Sequence, residues 1–333
     1  VVIVLNFCAK IPALGKPRTG KTGVVIFRLN TNFILFTITF AMINLQERVL
    51  LQRQYCRQFD CGDSLITIFN CPPEARLMKT RYADLWAKEN YLFYVLEGKK
   101  VWHTAHGSYE IGEGSCVFVR KGACILEQFF DIDFCLVLFF IPDAFICEVL
   151  KTKAAPIYKA EKKIPPVIRL CSNETLRAFF VSMYAYFSGT KEPDKSLLEL
   201  KFRELILTLA DNPENAELLS YFCMLLHEPK TATLQRVMED NFCFNLKLEQ
   251  LAELSNRSLS AFKRDFQKQF NTSPGKWLLE KRLNHAMHLL SHCGKNVNEA
   301  AFETGFENPS HFSRSFRQQF GQSPASVKPL GQF

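Results

Sequence analysis

The chain has 333 residues, more than one average core requires and enough for two domains of ordinary size. Hydrophobic residues make up 47% and charged residues 22%, which excludes a disordered, collagenous or multi-span membrane protein. The net charge of +8, from 41 Lys and Arg against 33 Asp and Glu, permits a polyanionic partner without requiring one.

The charge is unevenly spread. Residues 1–41 carry five basic groups and no acid, and residues 230–333 carry 14 basic against 9 acidic groups. That leaves 22 basic and 24 acidic residues for 42–229. A near-neutral body lies between two basic ends. The 12 cysteines are scattered singly with no C-x-x-C pair, and several sit in apolar runs, as Cys135 does. Neither a disulfide framework nor a zinc site fits that spacing, so the expectation is a reduced, cytoplasmic protein with no cofactor.

Residues 1–41 differ from the rest. Their apolar run, Phe33 to Phe40, is eight residues, where a membrane span needs about 20. Phe40-Ala41-Met42 also makes a poor signal-peptidase site. Three readings compete: an export segment, a short ordered extension, and an upstream translation with Met42 as the natural start. The third is preferred, so 1–41 is expected to be a non-native or disordered extension.

Residues 42–150 read as a small β domain. Leu65–Phe69, Tyr91–Leu96, Lys100–His103, Ser115–Val119 and Phe134–Ile141 are short apolar runs broken by Gly and Pro turns, the pattern of an antiparallel sandwich or barrel. His103, His106 and Glu110 loosely suggest a metal-binding jelly roll. Residues three apart on a strand face opposite sides, however, so no metal site is expected. Gly112-x-Gly114 lacks the strand-to-helix setting of a phosphate loop. No nucleophile–base pair is visible, and the protein is not expected to be an enzyme.

Residues 151–228 open with a Lys/Pro-rich linker, Lys151 to Pro166, and then turn helical. Leu197, Leu198, Phe202, Leu205, Ile206 and Leu209 form a stripe wide for a helix lying on a small β domain. Part of it is therefore expected to face a second copy of the chain.

The strongest signal lies in residues 229–333. Ser260 to Pro274 recurs as Ser310 to Pro324, with eight of fifteen positions identical; chance gives about one, so one unit has been duplicated. Each copy places phenylalanines at i, i+4 and i+8: Phe262, Phe266, Phe270 and Phe312, Phe316, Phe320. The opposite faces carry Ser260, Lys263, Arg264 and Gln267, and Ser310, Ser313, Arg314 and Arg317. Polar and cationic groups in that array suit a helix laid in a major groove. Leu248–Leu254 and Val297–Phe302 predict a short helix before each copy, Gly305 suits a left-handed turn, and Asn308 can cap a helix that begins at Pro309. This is the pattern of a helix-turn-helix, present twice. Trp277 to Leu290 predicts a connecting helix of 14 residues, about 21 Å long.

On these residues, 230–327 resembles the DNA-binding domain of the AraC/XylS family of bacterial transcription regulators. The match runs through Ala301, Gly305, Phe306, Ser310, Phe312, Arg314, Phe316, Phe320, Gly321, Ser323 and Pro324. Asn271 stands where the family's first unit usually has Gly, and Pro309 is unusual at the start of a recognition helix. Residues 42–228 resemble, more weakly, the cupin-like regulatory half, through Tyr94–Gly98 and Tyr109–Gly114. They look most like the activators of type III secretion.

The resemblance implies a multi-domain α+β protein: a cupin-like β domain with helices, then an all-α domain of two helix-turn-helix units. It implies a sequence-specific DNA-binding regulator, an activator that contacts RNA polymerase. It also implies self-association as a homodimer and control by a protein anti-activator or small-molecule effector. The candidate DNA-binding residues are Ser260, Lys263, Arg264, Gln267, Asn308, Ser310, Ser313, Arg314 and Arg317. The alternative is a small-molecule-binding or enzymatic jelly roll with a DNA-binding tail.

Overall fold

The computed structural model describes residues 22–29, 32–39, 42–51, 56–61, 64–71, 80–130, 133–157, 164–188, 192–227 and 230–327. The chain divides into two units, residues 1–40 and 41–333. In the first, β1 (Thr22–Leu29) and β2 (Asn32–Thr39) pair as an antiparallel hairpin. Both strands are rich in β-branched and aromatic residues, which favour extended pairing. This hairpin is the described part of the expected extension 1–41. The rest of that segment, on which the Met42 reading also depends, lies outside the described residues.

The second unit opens with β3 (Ile43–Asn44) and α1 (Leu45–Leu50), followed by β4 (Cys56–Cys61), β5 (Ser64–Cys71), β6 (Tyr82–Ala87), β7 (Asn90–Glu97) and β8 (Lys99–Thr104). Next come β9 (Gly107–Gly112), β10 (Cys116–Val119), β11 (Gly122–Gln128), β12 (Phe134–Ile141), α2 (Asp143–Lys151) and β13 (Val167–Leu170). These strands make a six-stranded sheet, ordered β13-β10-β7-β12-β5-β4, and a five-stranded sheet, ordered β3-β6-β11-β8-β9. Every pairing is antiparallel except β3 with β6.

The six-stranded sheet is buried on both faces, and its side-chain alternation sorts residues between two cores. Phe134, Leu136, Leu138 and Phe140 of β12 join Tyr91, Phe93 and Val95 of β7 against the five-stranded sheet, where Trp102, Ile111 and Leu126 meet them. Trp102 stacks on Phe93 at 4.9 Å and donates its indole N–H to the Tyr91 hydroxyl at 3.2 Å, so its one polar atom is satisfied. Val137, Phe139 and Ile141 point the other way, with Leu92 and Phe118. They meet α2, α3 (Glu174–Ser188), α4 (Lys195–Asp211) and α5 (Ala216–His227). Phe139 alone touches the rings of Phe179, Phe180 and Phe202. Burial on two faces explains why β12 reads as a continuous apolar run.

Two features differ from the sequence reading. Val167–Leu170, inside the expected linker-and-helix segment 151–228, is a strand paired with β10, and α3 to α5 share one core with the sheet. No core boundary falls at 150. A four-residue strand behind Pro165-Pro166 is too short to carry a period. Secondly, most of the wide stripe closes the domain's own core: Leu198, Phe202, Leu205, Ile206 and Leu209 are all buried. Leu197 (39%) and Leu200 (61%) remain exposed on α4, beside Val181 (67%) and Tyr184 (56%) of α3. Lys201 Nζ donates to Ser182 Oγ at 3.2 Å, which brings those two faces together.

The remaining helices are α6 (Lys230–Asn241), α7 (Leu248–Leu254), α8 (Leu259–Phe270), α9 (Pro274–His292), α10 (Val297–Glu303) and α11 (Pro309–Phe320), closed by a 3-10 turn at Pro324–Ser326. Among the described residues no helix is long and apolar enough to cross a membrane.

Candidate nucleic-acid interface

Helices α7–α8 and α10–α11 repeat one construction. Asn256 and Gly305 take left-handed conformations in the turns, at φ 54° and 81°. At Gly305 a Cβ would come within 2.5 Å of the Cys243 carbonyl oxygen, so no larger residue fits. Ser255 and Thr304, just before these turns, each return a hydroxyl to the carbonyl four residues earlier, at 2.7 Å.

Each recognition helix then starts on a side-chain cap. Ser258 Oγ accepts from the Ala261 N–H at 3.3 Å. Asn308 Oδ1 accepts from the N–H groups of Ser310 and His311 at 2.8 and 3.2 Å. The missing N–H of Pro309 falls where an intrahelical bond is not required. Both helices end on a left-handed residue, Asn271 and Gly321; Asn tolerates that conformation better than most side chains.

The phenylalanines fix which face looks inward. Phe262 and Phe266 are fully buried in a core with Leu251, Leu254 and Met238, and that core also takes in Trp86 of the β domain. Phe312 and Phe316 are fully buried with Leu283, Leu290 and Ala300 in a second core drawn only from α9 onward. Phe270 and Phe320 close each stripe, 4.4 and 4.6 Å from the ring before.

The polar faces therefore point to solvent. Ser260, Lys263, Arg264, Gln267, Asn308, Ser310, Arg314 and Arg317 are exposed, while Ser313 is half-buried. Among the described residues Lys263, Arg314 and Arg317 make no ion pair. Arg264 lies 3.2 Å from Asp265, whose other carboxylate oxygen takes Arg257 at the same distance. Hydrogen bonding from Arg257 holds the Asp265 carboxyl below its ordinary value.

Sequence reasoning missed Arg282. From α9 it donates to the carbonyls of Phe242 at 2.6 Å, Phe244 at 2.8 Å and Gly305 at 3.4 Å. One half-buried guanidinium thus ties the chain before the first unit to the turn of the second. A single Arg on an amphipathic helix ordinarily reads as solvated, and no local signal marks it. The connecting helix α9 is also longer than expected: 19 residues, about 28 Å at the usual rise.

The jelly-roll residues do not converge. His103 pairs with Ser108 and Glu127, His106 with Asp240, and Glu110 with Lys99. Among the described residues no group of three or more His, Cys, Asp or Glu side chains stands close enough to hold a metal ion.

Two exposed polar faces on duplicated helix-turn-helix units define a DNA-binding transcriptional regulator. Residues 251–328 match the family described as a helix-turn-helix domain, and 90–221 match the ExsA N-terminal regulatory domain. The virulence regulon transcriptional activator VirF of Yersinia enterocolitica is 26% identical over 240 residues, which cover 71% of this chain and 88% of VirF. The HTH-type transcriptional regulator ExsA of Pseudomonas aeruginosa is 24% identical over 241 residues, 72% of this chain and 85% of ExsA. A crystal structure of an apo ToxT variant from Vibrio cholerae aligns with 80% of this chain and 97% of its own, at 12% identity and a TM-score of 0.39. Both matches and these relatives make the chain similar to AraC-family transcriptional activators.

Because the phenylalanines carry the cores, Phe316→Ala should cost about 3–5 kcal/mol of stability. Denaturant unfolding of the second unit measures it. A loss below about 1 kcal/mol would mean that the stripe is not the core of that unit.

Proposed function

We propose that α8 and α11 lie in neighbouring major grooves on one side of duplex DNA, and that the protein activates transcription. One observation supports the groove reading above the others: both helices turn a serine and an arginine outward at matching positions, Ser260 with Ser310 and Arg264 with Arg314, opposite their buried phenylalanines. Lys263 and Arg314 read base edges, supported by Ser260, Gln267, Ser310, Ser313 and Arg317. Arg264, held beside Asp265, contacts phosphate, and so does Asn308 through the amide N–H groups that capping leaves over. Residues 229–333 form the DNA-binding part and 42–228 the regulatory part. Activation, through contact with RNA polymerase in the cytoplasm, follows the resemblance to activators such as VirF. The regulatory part receives the controlling input, a protein anti-activator or a small molecule.

A base contact is worth about 1–3 kcal/mol of discrimination, whereas a lost phosphate contact weakens binding to all sequences alike. Lys263→Ala should therefore weaken binding to a selected site by about tenfold or more and leave binding to random duplex nearly unchanged. Equal losses on both would reduce Lys263 to a backbone contact.

The regulatory part also pairs two copies of the chain, through the exposed face of α3 and α4. Val181, Tyr184, Leu197 and Leu200 support this reading, since they leave an apolar surface beside the buried stripe. Pairing two DNA-binding parts raises the effective concentration at a second site. Leu200→Glu should convert a dimer at micromolar concentration to a monomer by sedimentation, and should abolish cooperative binding on a two-site fragment while sparing a one-site fragment. A wild-type chain that already sediments as a monomer would refute the pairing.

A further inference from the structure

The turn from β10 into the start of β11, Arg120-Lys121-Gly122-Ala123, holds the DNA-binding part at three residues: Asp240 and Asn241 of α6, and Asn256 in the first helix-turn-helix unit. Arg120 donates from its guanidinium to Asp240 Oδ2 at 2.7 Å, and His106 lies 2.7 Å from the other oxygen of the same carboxylate. Arg120 also donates to the Pro165 carbonyl at 3.1 Å, so its head is fixed before it meets α6. Asn241, the next residue on α6, accepts from the Ala123 N–H at 2.7 Å and donates to the Val237 carbonyl at 2.8 Å. A Cβ at Gly122 would come within 3.0 Å of that same Asn241 oxygen, at φ +145°. Lys121 Nζ reaches Asn256 Oδ1 at 3.3 Å, in the left-handed turn that leads into α8.

The same loop is anchored in the regulatory half. Lys121 Nζ is 2.8 Å from Asp143 Oδ2, and its backbone N–H donates to Asn90 Oδ1 at 3.0 Å. The Tyr221 hydroxyl of α5 stands 2.9 Å from that Asn90 oxygen and 3.0 Å from Asp143. The helices that cover the six-stranded sheet are thus linked by hydrogen bonds to the turn of the first unit. The second unit has its own core, drawn only from α9 onward.

A buried arginine facing a mostly buried aspartate is costly to desolvate and returns that cost only while both partners stay in register. Removing one partner of such a pair leaves the other charge buried and uncompensated. We infer that the 120–123 loop and Asp240 form a positioning element that joins the regulatory half to the turn before α8, so that the two halves respond to each other. Binding free energies between coupled sites are reciprocal. DNA at α8 must then be felt at 120–123, and a change in the loop must be felt in the turn.

Hydrogen exchange on the full chain tests this, without DNA and with a saturating one-site duplex. Arg120→Ala, a substitution in the regulatory half, should speed exchange across residues 253–260 by about tenfold or more in the absence of DNA. Glu239→Ala, on α6 but outside the clamp, should not. In the wild type the duplex should slow exchange over 116–123, and Asp240→Ala should remove that response while still binding the one-site duplex within about threefold of wild-type affinity. Arg120→Lys, which keeps the charge, should restore part of the protection of 253–260. The inference is overturned if Arg120→Ala leaves 253–260 unchanged, or if Asp240→Ala retains the DNA response at 116–123. Simple unfolding of the variants would raise exchange throughout the chain, including β12 and α11. In that case Asn241→Ala, which removes the bond to Ala123 and the one to the Val237 carbonyl but no ion pair, replaces them with the same expected and contrary results.

Discussion

The buried phenylalanine stripe is what allows each recognition helix to keep a polar face. A 12-residue helix is marginal in water by itself, and its stability comes from the face it packs. With Phe262 and Phe266, and Phe312 and Phe316, at 0% exposure, packing on one side frees the other side to be chosen for recognition. Lys263 and Arg314 stand in solvent, and among the described residues neither makes an ion pair. The caps and left-handed turns then determine where along the axis the polar face begins.

The two units are alike in construction and unlike in setting. The first shares its core with Trp86 and is gripped through Asp240 and Asn241 by the β10–β11 loop. The second owns its core and is joined to the first chiefly by α9 and by Arg282, which donates to carbonyls before α7 and in the turn before α11. This asymmetry divides the work in physical terms. The first unit is tied to the regulatory sheet through α6 and the turn before α8, and the second is set relative to it by a single long helix and the half-buried Arg282.

Sequence legibility followed periodicity. The stripes, the Gly305 turn and the Asn308 cap were readable because each depends on residues close in the chain. Strands β7, β8, β10 and β12 were readable as apolar runs, yet β9 and β11 were not, since Gly107–Gly112 is largely polar and Gly122–Gln128 mixes small, polar and apolar residues. The burial of Leu198 to Leu209 was not legible, because a sheet buried on both faces demands a wide helical cover and nothing local announces the second face. Arg120, Asp240, Asn241 and Arg282 were invisible for a plainer reason: the partners they meet across the fold lie 23 to 134 residues away.

The central claim is that one chain presents two recognition helices to one side of the duplex. Hydroxyl-radical footprinting of the full chain on a selected site tests it most directly. Two protected stretches are expected, centred about 10 base pairs apart, one helical turn, on the same face of the DNA. A single protected stretch from one bound chain, or two stretches offset by about half a turn, would contradict it.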